Sequence, residues 1–145
     1  MAISGDARNV IGWLFVTVPL VEYGGYFLLS LLRRRGTEAS ADDRFSFYRA
    51  GHAHAGVLVI LAIIAQIVID QAGFSPSVAS LVCAGFFLPP ILMSAGFFLG
   101  APDASGRPRR LVALVYVGAV VLLLASWALG FTLVFGNEPA AAMTG

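Results

Sequence analysis

Two histidines stand two residues apart where a long apolar stretch begins. His52 and His54 lie in the segment Arg-Ala-Gly-His-Ala-His-Ala-Gly (49–56), and they are the only histidines of the chain. From residue 55 to residue 69 the one polar side chain is Gln66. An ionisable group in such a setting is costly and is a candidate functional group. Because neutral imidazole binds transition metals and haem iron, the pair predicts a metal or haem site.

The spacing of the two histidines limits how they can bind. On a regular helix, side chains two residues apart point about 200° away from each other. His52 and His54 therefore cannot both bind one ion unless the backbone opens at Gly51 or Gly56. We expect one to face the bundle and the other a neighbour, lipid or the interface, and we favour His54 as the ligand. The alternative is a pair that only forms hydrogen bonds at the membrane interface.

Composition fixes the class of protein that must position these histidines. The chain has 145 residues, of which 59% are hydrophobic and 12% are charged. This is too apolar for a soluble domain of that size. A helix needs about 20 apolar residues to cross the hydrocarbon core, and four runs are long enough: 10–32, 47–69, 77–99 and 111–135. The sequence predicts an all-α protein, a single domain built as an integral membrane four-helix bundle.

The arginines predict the topology of this bundle. Arg8 precedes the first run. Of the other eight basic residues, seven fall between runs one and two or between runs three and four, and Arg49 lies at the start of run two. By the positive-inside rule, loops 33–46 and 100–110 are cytoplasmic and both termini are outside. We therefore expect a multi-pass protein of a bacterial-type inner membrane. The net charge of +1 gives no indication of nucleic-acid binding.

Matching depths in the four spans predict a polar layer around the histidines. His54 lies sixteen residues, or about 24 Å, from the outer end of span two. Tyr26 falls at the same depth in span one, and Glu22 is one turn further out on the same face. The predicted layer in the inner half of the bundle comprises His54 or His52, Tyr26, Tyr116 and Ser94, with Glu22 above it. Such a layer suits a cofactor site or a proton relay, while a purely structural Glu22 is the alternative.

Span three carries two further features. Pro89 and Pro90 lie at its centre and predict a break or a kink, because proline donates no backbone hydrogen bond and its ring clashes with the preceding turn. Cys83, the single cysteine, cannot form an intrachain disulfide and is expected to act as a small hydrophobic residue.

The segment 51–56 resembles the H-x-H helices of bacterial membrane haem proteins related to haem-copper oxidases and nitric oxide reductases. The resemblance covers about ten residues. It implies axial ligation of haem b, or copper binding, by His52 or His54. Since the chain has no other histidine, ligation by two imidazoles would need both from this segment or one from another protomer.

The topology is similar to that of the membrane-associated eicosanoid and glutathione metabolism family. Its members have four helices, about this length, outer termini and an R-A-H-x-N motif that opens helix two. Arg49-Ala50-Gly51-His52 is similar to this motif, with Gly51 inserted. The resemblance implies an oligomer of four-helix protomers.

These patterns leave three functions open. The first is a haem or transition-metal protein in respiratory electron transfer, gas sensing or metal handling. The second is a proton-coupled channel or transporter that uses Glu22 and His54. The third is an accessory subunit of a larger membrane complex. A homo-oligomer in the lipid bilayer is expected in the first two cases.

Overall fold

The chain folds into four long helices. The computed structural model describes residues 3–35, 43–103 and 105–136. They form α1 (Gly5–Arg35), α2 (Asp43–Gln71), α3 (Pro76–Leu99) and α4 (Ala113–Phe135), with a short 3-10 helix at Arg110–Val112. Each of the four is long and apolar enough to cross a membrane. The predicted all-helical class with four candidate spans is confirmed.

The first two helices extend beyond the apolar runs. Helix α1 begins at Gly5 rather than at residue 10, and α2 begins at Asp43 rather than at residue 47. Asp6 and Asp43 stand in the respective first turns, where a carboxylate stabilises the positive end of the helix dipole. The charged ends of both spans are therefore continuous with the apolar helices, which hydropathy alone does not reveal.

The helices pack in chain order. Helix α1 contacts α2, α2 contacts α3, and α3 contacts α4. A buried apolar cluster joins all four: Leu14, Ala62, Ala65, Ile69, Val82, Phe86, Ala125 and Leu129. Helices α3 and α4 approach so closely that a Cβ at Gly85 would lie 2.5 Å from the Cβ of Ala125. Small residues of this kind allow tight helix packing in membranes.

Helix α3 continues without a break at its two central prolines. Pro89 and Pro90 are both buried within an unbroken helix that runs from Pro76 to Leu99. The predicted break therefore does not occur, while the alternative of a kink stays a prediction. Contacts with α2 on one side and α4 on the other keep the helical path despite the missing hydrogen-bond donors.

The bundle has two distinct ends, which we name after the predicted topology. At the inner end, the Arg44 side chain at the start of α2 donates a hydrogen bond to the carbonyl of Pro102. In the same loop, hydrogen bonds from the Ser105 hydroxyl and backbone N–H hold the pKa of Asp103 below its usual range. At the outer end, the Ser4 N–H donates to Asp70 Oδ2 at 2.9 Å. These contacts tie α2 to a neighbouring segment at each end.

Candidate functional site at the inner end of helix α2

The two histidines lie against different helices. The ring of His52 contacts the Gly24-Gly25 pair of α1, whereas the ring of His54 lies against Phe97 of α3. Both side chains are partly buried. The expectation that the two imidazoles point apart agrees with this placement. The structure adds that each of them packs against a neighbouring helix of the same protomer.

His52 fills the space that two glycines leave in α1. A Cβ added to Gly24 would lie 3.2 Å from His52 Nδ1, and one added to Gly25 would lie 3.3 Å from both Cε1 and Nε2. The absence of side chains on α1 therefore gives the imidazole its place between α1 and α2. Its Nδ1 is buried and has no hydrogen-bond partner among the described residues. A buried polar atom without a partner costs about 1–3 kcal/mol.

His54 has one ring nitrogen occupied and the other available. Its Nδ1 lies 2.7 Å from the carbonyl oxygen of Ala50, one turn back in α2. Because a carbonyl only accepts hydrogen bonds, we assign the proton of the neutral imidazole to Nδ1, which leaves the lone pair on Nε2. Imidazoles that bind metals usually have their second nitrogen oriented by an oxygen in this way. His54 thus has the tautomer that ligation through Nε2 requires.

An aromatic layer fills the inner end around the histidines. The Tyr48 ring stacks on Phe98 with centroids 5.7 Å apart and meets the edge of Phe27 at the same distance. Phe47 contacts Phe97 at 6.0 Å, and the His54 ring lies 4.8 Å from Phe97. Our sequence interpretation missed this layer. The signal was present, because the aromatic residues that open span two lie at the depth of the Phe-Phe pair that closes span three.

Helical periodicity shows from which side a ligand can reach His54. On the side of α2 that carries His54, Val57 and Leu61 are 65% and 37% exposed, whereas Leu58, four residues after His54, is 7% exposed. His54 therefore lies at the border between the exposed and the buried side of α2. The interior at this level is occupied by aromatic rings, so a ligand of His54 would approach from the membrane-facing side of α2.

The predicted polar layer does not form within one protomer. Tyr26 and Tyr116 are 66% and 70% exposed, and Glu22 is exposed as well. Depth along a helix gives the height of a side chain but not its direction around the axis, and these three residues face away from the bundle. Ser94 does turn inward, since its hydroxyl is buried and has no partner among the described residues. Its spacing places it on the face of α3 that carries Phe97 and Phe98.

The donor set of a single protomer is small. The described residues contain no group of three or more histidine, cysteine, aspartate or glutamate side chains that could hold a metal ion. Since the two histidines lie on opposite sides of α2, one protomer offers one imidazole to a metal. His54 would be the residue that holds haem iron, with a further ligand from elsewhere. It would also hold copper if a second copy supplied the other donors.

Comparison with known proteins does not extend this description. No protein-family model, no curated protein sequence and no solved structure matches the chain.

Proposed function

We propose that the protein binds haem b or copper through His54 and serves in respiratory electron transfer, gas sensing or metal handling. The observation that carries the proposal is the hydrogen bond from His54 Nδ1 to the Ala50 carbonyl, because it leaves Nε2 free as a ligand. The bound group would supply electron transfer or gas binding. The protein would supply one fixed imidazole and a lipid-facing surface that excludes water.

Ligation by one imidazole per protomer favours a homo-oligomer. A second copy, packed against the same side of α2, would contribute its own His54 to a haem or further donors to copper. Exposure of Glu22 on α1 supports an assembly, because a carboxyl group facing lipid is costly. In this proposal the inner end of the bundle lies in the cytoplasm and the bilayer is a bacterial-type inner membrane.

The test compares the two histidines as matched variants. Wild-type protein, His54→Ala and His52→Ala are purified in mild detergent from cells supplied with haem and copper. We expect a Soret band or bound copper in the wild type and in His52→Ala, and neither in His54→Ala. If both variants lose the cofactor and their size-exclusion profiles also change, the variants have a folding defect. His54→Gln would then replace His54→Ala. Equal cofactor content in all variants would refute the assignment.

A proton-coupled channel or transporter is the second candidate. The observation that favours it is that Glu22 and Tyr26 are both exposed, one turn apart on the same face of α1. In an oligomer, these two side chains would line a path between copies that leads towards His54. We expect Glu22→Gln to preserve assembly and to abolish proton uptake by proteoliposomes. If Glu22→Gln preserves proton flux, or the wild type shows none, this candidate fails. An accessory subunit that binds a larger complex through the same face remains the third candidate.

A further inference from the structure

A cavity opens at the outer end of the bundle, away from the histidines. Its volume is about 740 Å³, and it lies between α1 and α3 with the outer end of α2 as its floor. Binding sites for small molecules commonly have volumes of about 300–1,000 Å³. Gln66, in the floor, is twelve residues from His54, which corresponds to about 18 Å along α2. The cavity is therefore separate from the proposed cofactor site.

Gln66 lines this cavity and carries a buried hydrogen-bond acceptor. The side chain is only 1% exposed, and its Oε1 has no hydrogen-bond partner among the described residues. Its Nε2 donates to the carbonyl of Cys83 at 3.5 Å, the long limit for a hydrogen bond. Because a buried acceptor without a donor is costly, the site would be stabilised by a molecule that brings an O–H group to Oε1.

The walls of the cavity are suited to an amphipathic molecule. Polar side chains, among them Ser4 and Asn9, lie at the end near the N-terminus of α1. Trp13 and Phe87 line the deeper part, and the α3 lining extends from Pro76 to Leu88, a rise of about 18 Å. An elongated apolar body can therefore lie along α3.

We propose that this cavity binds a lipid-soluble molecule with an apolar body and a hydroxyl group that donates a hydrogen bond to Gln66 Oε1. A lipid acyl chain would fill the apolar length but has no donor for the amide oxygen. A water molecule would satisfy the oxygen but would leave the apolar walls uncovered. A hydroxylated, membrane-dissolved molecule meets both requirements, and it can enter from the bilayer between α1 and α3. This inference does not depend on the proposed cofactor.

A matched pair of probes isolates the hydroxyl group. The probes are para-decylphenol and its methyl ether, which have the same body but differ in the O–H donor. Two residues of the cavity report binding: Trp13, measured by fluorescence in a Trp127→Phe background, and Cys83, the only cysteine, measured by its protection from a lipid-soluble maleimide. We expect the phenol to bind wild-type protein about tenfold more tightly than the ether, the effect of about one hydrogen bond.

Variants of Gln66 then assign the preference to its amide oxygen. We expect Gln66→Leu to reduce the phenol affinity to that of the ether and to leave the ether affinity unchanged. Ser80→Ala is the control, because it removes another hydrogen-bond acceptor from the lining of the same cavity. Both affinities should stay as in wild type. If Gln66→Leu does not fold, Gln66→Met keeps the unbranched shape and replaces it. Equal binding of phenol and ether by wild-type protein would reduce the cavity to an acyl-chain site. A phenol preference that persists without Gln66 would assign it to another acceptor. Either result would overturn the proposal.

Discussion

Helix α2 buries a polar side chain near each end, and the two surroundings differ. His52, near the inner end, packs against the α1 glycines, and its buried Nδ1 has no hydrogen-bond partner in the described part of the chain. Gln66, near the outer end, lines a cavity of about 740 Å³, and its buried Oε1 likewise has no partner among those residues. At the inner end aromatic rings occupy the interior, whereas at the outer end α1 and α3 leave an open volume.

This difference indicates how each end can bind a ligand. A protomer has room for a small molecule at the outer end. In the proposed function, a cofactor would approach His54 from the membrane-facing side, and a second copy would complete the site. The proposed inner site would therefore depend on assembly, whereas the outer cavity lies within one protomer.

The largest expected effect concerns the side of the membrane on which each end lies. In a Cys83→Ala background, a cysteine at Ser105 should be shielded from an impermeant thiol reagent in intact cells. A cysteine at Ser75, in the turn at the opposite end, should react readily. The contrast should be all or none, because the reagent does not cross the bilayer. Labelling of Ser105 with protection of Ser75 would reverse the orientation.

The next effect tests how tightly the inner end is filled. Gly25→Leu forces a side chain against the His52 ring, and overpacking of this kind costs about 1–3 kcal/mol. Gly12→Leu on the same helix is the matched control, since a Cβ there meets no atom within 4 Å and the gain in helix propensity is the same. The free energy of unfolding in a detergent titration should be lower for Gly25→Leu than for Gly12→Leu by that amount.

At the outer end, a larger side chain should have little effect on the free energy of unfolding. Ala84→Leu adds a side chain beside the cavity, and we expect a change of less than about 0.5 kcal/mol. If Ala84→Leu destabilises the protein as much as Gly25→Leu does, the two ends are equally packed and the distinction between them is wrong.

The same residues show how far the sequence alone could lead. Four helices followed from the lengths of the apolar runs, and the separation of His52 from His54 followed from the helical rotation per residue. The directions of Glu22, Tyr26 and Tyr116 did not follow, because their orientation depends on the packing of α1 and α4. Gln66 stood out as the one polar side chain of its run. Its cavity became visible only when α1 and α3 were placed beside it.

A further stability change is expected on removing the outer polar group. Gln66→Leu replaces a buried amide without a proper donor by an apolar side chain, and we expect the ligand-free protein to be unchanged or more stable by about 1 kcal/mol. Chemical denaturation in detergent measures this difference. If the weak contact with the Cys83 carbonyl were a structural hydrogen bond, the variant would instead lose about 0.5–1.5 kcal/mol.

The most direct test of the cofactor site is the absorption spectrum and metal content of the wild-type protein. It should be purified in mild detergent from cells supplied with haem, iron and copper. We expect a Soret band, or copper in a fixed ratio to protein, and we expect the signal to disappear in His54→Ala. Wild-type protein that is folded, colourless and free of metal would contradict the assignment of His54 as a cofactor ligand.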